Sequence, residues 1–301
     1  MGVRPWIDDF VGEPGPVHHF YHLIWAHALT GVLLAAVKLD LFTALEPGPM
    51  TADEVSGRCG TRPEWTEKLL IACTALGVVQ CRDGRYQNTP FAARYLVRHQ
   101  RAYQGDIITH LQRWERWQEL DHCIRTGVRG PKEIRARAEM TRGETQEAHR
   151  TWIRAMHNIA MAGQADALVD ALDLSGRHLL CDVGGGPGTY AVALCQRYPD
   201  LHAIVLDVPE TEPIALEIIR SAGLEDRVHF QVGNYLRDDY GKEVDAILFS
   251  GVLHGEPPEA CGRMLRTAYQ SLVPGGLVAV QEILLNDEKP ARFCRHCSVF
   301  T

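Results

Sequence analysis

Apolar positions recur at helical spacing through nearly all of the chain as far as residue 175. Beyond it, short apolar runs alternate with amphipathic stretches. Leu23 to Leu45 keeps the helical rhythm and stops at Glu46-Pro47-Gly48-Pro49. Thr51-Ala52-Asp53-Glu54 reads as a capping box, with the Thr51 hydroxyl and Glu54 carboxylate each accepting from the other's backbone N–H, and a short helix to about Cys59. Pro63 suits the first turn of the next helix, which carries Leu69, Leu70, Cys73 and Leu76 and ends at Gly77. Val78 to Cys81 and Arg85 to Gln87 flank Asp83-Gly84, a strong hairpin signal. Helices followed by a hairpin predict a winged helix, so residues 1–104 are expected to form one domain.

Residues 105–175 read as a helical linker that covers the substrate side. They are rich in aromatics (Trp114, Trp117, Trp152), with breaks at Gly127-Val128-Arg129-Gly130-Pro131 and Thr141-Arg142-Gly143. Glu144 to Leu172 predicts long helical stretches. From 176 to 301 the pattern predicts strands at His178–Val183, His202–Val208, Val228–Val232, Val244–Ser250 and Leu277–Leu284. Helices are predicted at Tyr190–Tyr198, Ile214–Ala222 and Pro258–Leu272, the last stopped by Pro274-Gly275-Gly276. Such alternation means an α/β domain with a parallel, doubly wound sheet, here preceded by a mainly helical domain.

Composition narrows the function classes. The chain of 301 residues has 46% hydrophobic and 23% charged residues, ordinary for a soluble globular protein. Its 31 basic and 38 acidic residues give a net charge of -7, which argues against a general polyanion binder. Residues 1–104 hold equal numbers of acids and bases, and the reading helix of the winged helix carries Glu64 and Glu67 against Arg62 and Lys68. That is a poor phosphate surface, so a protein–protein role is expected there rather than nucleic-acid binding. The most apolar run, Gly31 to Val37, stops at Lys38, far short of the ~18–20 residues of a membrane span, and no signal peptide opens the chain. Nine irregularly spaced cysteines fit reduced thiols in a cytoplasm better than a disulfide framework. His18, His19, His22 and His27 lack a completing ligand set, and Cys294-x-x-Cys297 lacks a second pair, so no metal site is expected.

The candidate chemistry begins at Asp182-Val183-Gly184-Gly185-Gly186-Pro187-Gly188, a glycine loop between a strand and a helix. Such a loop lets a ligand approach the backbone and the helix N-terminus. A dinucleotide loop wants a third glycine where Thr189 stands; the G-x-G-x-G spacing of 184, 186 and 188 suits S-adenosylmethionine (SAM) better, although the loop alone leaves a nicotinamide cofactor open. Asp182 is placed to accept from the cofactor's ammonium, and Asp207, at the end of the next strand, from its ribose hydroxyls. Leu272-Val273-Pro274-Gly275-Gly276, a turn habitual in SAM methyltransferases, adds to this.

With residues 180–188 and 248–282 carrying the likeness and the winged helix agreeing with it, the chain resembles the class I SAM-dependent small-molecule O-methyltransferases of the caffeate, hydroxyindole and antibiotic-tailoring type. The resemblance covers nearly the whole chain. It implies a Rossmann-like SAM domain, a homodimer formed through the N-terminal domain, and a hydroxylated aromatic or polyketide-type small molecule as methyl acceptor. It implies cofactor contacts from Gly184, Gly185, Gly186, Gly188, Asn234, Tyr235 and Ser250, alongside Asp182 and Asp207. Asn234 stands where the family usually has aspartate, so that contact brings no charge.

Methyl transfer from a sulfonium is an in-line displacement that needs alignment and an adequate nucleophile. A phenol, with a pKa of ~10, is helped by a nearby base, and imidazole, at ~6.5, suits the task. His254 follows the Val244–Ser250 strand at the position of the family's base, which implies that role; Glu282 matches the carboxylate that holds the imidazole. The family's His-Asp-Trp is here His254-Gly255-Glu256, which leaves nitrogen or carbon methylation, or other SAM-assisted chemistry, open. Met156, His157 and Met161 fall where family members line the acceptor pocket, although methionines on a helix are as readily plain core. The resemblance also implies a further helix, a strand hairpin and another catalytic glutamate beyond Thr301. Ala291 to Thr301 does not read as family sequence, and its codons admit a frameshift. On that expectation Leu277–Gln281 becomes a long exposed apolar edge that invites aggregation, and the chain is a destabilised, impaired SAM-binding fragment.

Overall fold

The computed structural model describes residues 18–111, 117–127, 142–282 and 298–300. The sequence features at Trp114, at Gly130-Pro131, at the N-terminal start and at Cys294 to Cys297 lie outside the described residues. The chain divides into two compact units, 1–140 and 141–301.

In the first unit, α1 (His18–Lys38) is followed by a break before α2 (Leu41–Ala44). The sequence predicts one helix through Leu45, but Asp40 adopts φ 55°, a left-handed conformation that interrupts it. The Thr51 hydroxyl accepts from the Glu54 N–H at 3.3 Å and the Glu54 carboxylate accepts from the Thr51 N–H at 2.7 Å. This reciprocal cap starts α3 (Ala52–Cys59), and Pro63 opens α4 (Pro63–Ala75). β1 (Val79–Arg82) and β2 (Arg85–Asn88) pair antiparallel across Asp83-Gly84, both at positive φ as a tight hairpin requires. α5 (Pro90–Tyr95), α6 (Gly105–Leu111) and α7 (Leu120–Thr126) follow. Phe42, Leu70, Val79 and Tyr86 are buried together in this unit's core. No described helix is long and apolar enough to cross a membrane.

The second unit opens with α8 (Arg142–Ile159), a π-turn at Ala160–Gln164 bent at Gly163 (φ 131°), and α9 (Ala165–Ala171). Then come β3 (Leu179–Val183), α10 (Thr189–Arg197), β4 (His202–Asp207), α11 (Glu212–Ser221), β5 (Val228–Val232), β6 (Val244–Ser250), α12 (Pro258–Ser271), β7 (Leu272–Glu282) and β8 (Ser298–Phe300). The sheet order is β5-β4-β3-β6-β7-β8; the first five strands are parallel and β8 is antiparallel. Leu180, Val205, Leu248 and Ala279 face one apolar layer with Leu168, Ala191 and Leu194. Val183, Leu206, Ile247 and Phe249 face the other with Met264 and Ala268. Burial on both faces explains why these strands read as continuous apolar runs.

Two expectations need correction. Pro274-Gly275-Gly276 does not separate α12 from the last parallel strand; β7 starts directly at Leu272 and carries those residues, with a register shift between Val244 and Ala246 on its neighbour. The outer edge of β7 is not bare along its length either: Val280, Gln281 and Glu282 pair with Phe300, Val299 and Ser298.

Candidate active site

The parallel strands deliver their C-terminal ends to one rim, where open α/β sheets bind ligands. β3 ends at Asp182-Val183 and turns into the glycine loop. Gly184, Gly186 and Gly188 have φ of 66°, 53° and 70°, a region costly for side chains with a Cβ. Gly185 is required for a different reason: a Cβ there would sit 2.7 Å from Asp182 Cγ and 2.9 Å from its carbonyl oxygen. Asp182 is fully buried, and neither carboxylate oxygen has a hydrogen-bond partner among the described residues. Burial, reinforced by Asp207, pushes its pKa up to about 7, with the Ala191 backbone amide working the other way. An orphaned buried carboxylate beside a loop open to backbone contact fits a cationic ligand group such as an ammonium.

Asp207 ends β4 and faces the same loop. Its Oδ2 accepts from the Gly186 N–H at 2.7 Å and its Oδ1 from the Val208 N–H at 2.6 Å. Burial raises its pKa, and those two backbone donors pull the other way. Oδ1 also lies 3.5 Å from the Thr211 hydroxyl, a second donor, so the second lone pair of Oδ2 is the one kept for a ligand hydroxyl. After β5, the Asn234 side-chain oxygen accepts from the Leu236 N–H at 2.9 Å in a local turn, which leaves its amide donor for a ligand. The Tyr235 ring lies over the loop, with Cδ1 3.5 Å from the point a Cβ on Gly184 would occupy.

β6 ends at Ser250, and the chain turns through a 3-10 turn at Leu253–Gly255 that carries His254. His254 Nδ1 lies 2.8 Å from Glu282 Oε2. Glu282 Oε1 accepts from the Leu253 N–H at 2.7 Å and, more distantly, from the His254 N–H at 3.4 Å. Glu282, at the end of β7, is buried, whereas the His254 side chain is 61% exposed. One carboxylate therefore fixes both the ring and the backbone of the turn, and Nε2 is left without a partner among the described residues.

Other predicted residues take less direct places. The Ser250 hydroxyl donates to Gln281 Oε1 at 2.9 Å, so its side chain is already engaged. His157 Nδ1 lies 2.8 Å from the hydroxyl of Thr189, the first residue after the glycine loop, and burial lowers its pKa so that the ring stays neutral. Met156 and Met161 are half-buried on either side of the start of the π-turn. Sequence reasoning missed Thr189, Gln281 and Glu256; none carries a local signal, because each partner is distant along the chain. No cluster of three or more His, Cys, Asp or Glu among the described residues is placed to hold a metal.

The family model for the O-methyltransferase domain matches residues 117–298, and that for the O-methyltransferase dimerisation domain matches residues 21–98. The chain belongs to the O-methyltransferase family. Relatives include the 3-hydroxy-5-methyl-1-naphthoate 3-O-methyltransferase of Streptomyces sahachiroi, 32% identical over 86% of this chain and 75% of that protein. The N,N-dimethyltransferase OxyT of Streptomyces rimosus is 29% identical over 87% of this chain and 77% of its own length. Among solved structures, human N-acetylserotonin methyltransferase in complex with SAM superposes with a TM-score of 0.79, at 25% identity over 93% of this chain and 84% of that one. This O-methyltransferase is thus an enzyme whose cofactor is SAM, and the orphaned Asp182 and the open glycine loop fit such a cofactor.

Proposed function

We propose that the chain methylates a hydroxyl of an aromatic or polyketide-type small molecule with His254 as general base. The observation that carries this reading is the His254–Glu282 pair at 2.8 Å on the rim where the glycine loop opens. SAM, when bound, supplies an activated methyl group on a sulfonium. Asp182 receives the cofactor's ammonium, Asp207 and the amide of Asn234 its ribose and adenine, and the backbone at Gly184–Gly188 and Ser250 shapes the rest of the cleft. Glu282 holds Nδ1 protonated, which fixes the tautomer and leaves Nε2 to take the acceptor hydroxyl's proton. Once the ring is charged, Glu282 stabilises the imidazolium. Met156, His157 and Met161 line the acceptor side, with His157 held neutral against Thr189.

The 1–104, 105–175 and 176–301 division then corresponds to dimerisation, substrate cover and catalysis. Homodimerisation follows from the dimerisation-domain match and from the balanced charge of the N-terminal domain. The cysteine pattern favours a cytoplasmic setting.

Purified enzyme is incubated with SAM and a panel of hydroxylated naphthoates, anthracyclic phenols and matching arylamines, and methylated products are identified by mass. His254→Ala is expected to lower kcat about 10²- to 10⁴-fold while SAM still binds by calorimetry. Equal turnover of the variant removes the base role, and methylation confined to the arylamines replaces oxygen by nitrogen as acceptor. The relative OxyT is the reason that second outcome is included.

A further inference from the structure

Glu256, two residues after His254, takes no part in the proton transfer proposed above. The Tyr235 hydroxyl donates to Glu256 Oε1 at 3.0 Å, joining the loop after β5 to the loop after β6. Both ends of this bridge are pinned independently. On one side, the buried Tyr240 hydroxyl donates to the Tyr235 carbonyl at 2.7 Å. On the other, Cys261 Sγ, on α12, lies 3.6 Å from the Glu256 carbonyl and 3.4 Å from that of Leu253. The same two loops meet Gly184: the Tyr235 ring and the Val252 side chain stand 3.5 Å and 2.9 Å from the point its Cβ would occupy.

We propose that Glu256 is a positioning residue for the cofactor, which through the Tyr235 hydroxyl holds the tyrosine ring against the glycine loop and ties that loop's cover to the turn bearing His254. Tyr235 is a reliable donor for this purpose, since burial and then the Glu256 carboxylate raise its pKa to about 12 and the proton stays on oxygen. Without the bridge the ring is free to swing from the loop, and SAM must order it on binding. The cost then falls on cofactor affinity rather than on proton transfer. This rests on the reading of Tyr235 as a cofactor contact.

The test is SAM affinity by calorimetry together with KM for SAM, kcat and the pH profile of kcat. Melting temperature without SAM is measured beside them. Glu256→Ala and Tyr235→Phe are each expected to weaken SAM binding about three- to tenfold, with KM for SAM rising more than kcat falls and the pH profile keeping its shape. Glu256→Gln, which keeps an acceptor for the hydroxyl, restores affinity. The double variant loses no more than either single one, as expected when both remove one interaction. Additive losses, or a Glu256→Gln variant as weak as Glu256→Ala, overturn the proposal. Tyr235→Ala separates the two readings. Unchanged SAM binding there removes Tyr235 from the cofactor site. Weakened binding there, with Tyr235→Phe and Glu256→Ala at parent affinity, removes the bridge alone.

Discussion

Asp182 and Glu282 are both buried carboxylates at the ends of parallel strands, yet their surroundings are opposite. Glu282 is answered by the chain itself, with the His254 ring on one oxygen and the Leu253 N–H on the other. Neither oxygen of Asp182 has a hydrogen-bond partner among the described residues, the Ala191 backbone amide eases its charge least of the influences on it, and Asp207 nearby makes that charge harder to bear. The first arrangement suits a group that must be aligned before its substrate arrives. The second suits a group completed by its ligand, since an unpaired buried charge is costly until a cation compensates it. The same fold thus holds one acid that stabilises the empty protein and one that destabilises it.

The comparison is most severely tested at Gly185. A Cβ 2.7 Å from Asp182 Cγ cannot be accommodated without moving the carboxylate or the loop, so Gly185→Ala is expected to abolish measurable SAM binding. Overpacking of this kind also costs about 1–3 kcal/mol of stability. Calorimetry and thermal melting read both effects.

Asp182→Asn is next, and it should act in opposite directions on affinity and stability. Loss of a charged partner weakens SAM binding on the order of 10- to 100-fold. The raised pKa sets the sign for the empty protein. With a folded value of about 7 against an ordinary 3.8, the folded state holds a proton that the unfolded state has already released between those values. Asp182 therefore lowers stability progressively as pH rises from about 4 to 7, and the penalty is complete above 7. The asparagine variant should melt higher than the parent at pH 8 and alike near pH 4. SAM affinity of the parent should rise through pH 7 with proton release, and that dependence should vanish in the variant. A parent whose affinity is flat across this range would mean that Asp182 does not meet the ammonium.

Glu282→Gln probes the satisfied side. It keeps an acceptor for the Leu253 N–H but loses the charge opposite the imidazole. Kcat should fall about tenfold, as for one charge-assisted hydrogen bond, with SAM affinity unchanged. The smallest effect is outside both sites: Thr51→Ala breaks the cap of α3 and costs about 1 kcal/mol in melting experiments, with SAM affinity unaltered.

Much of the architecture was legible because its determinants are local. The capping box at Thr51 and Glu54, the Asp83-Gly84 hairpin and the strand runs at Val228–Val232 and Val244–Ser250 are found at the predicted places. The breaks at Asp40 and Gly163 were not foreseen, since a single residue leaving helical geometry within an apolar rhythm changes no periodicity. Pro274-Gly275-Gly276 read as a stop; β7 already begins at Leu272 opposite Val244, and these residues fall in the register shift before pairing resumes at Leu277 opposite Ala246. At the site, the glycine loop and the likeness around His254 pointed to the cofactor and to a candidate base, whereas nothing local announced that the Ser250 hydroxyl meets Gln281.

By itself the sequence determined the periodicities that make two kinds of domain, the glycines that only one loop conformation can use, and the residue types able to hold a sulfonium cofactor and move a proton. Spacing along a chain does not state which distant residues meet. Only the tertiary structure decided that Glu282 also holds the backbone of the turn at Leu253, that His157 meets Thr189, that Tyr235 meets Glu256, and that Asp182 is buried without a side-chain partner. Those contacts depend on parallel strands ending at one rim, and the energy of a buried charge depends on what else is brought there.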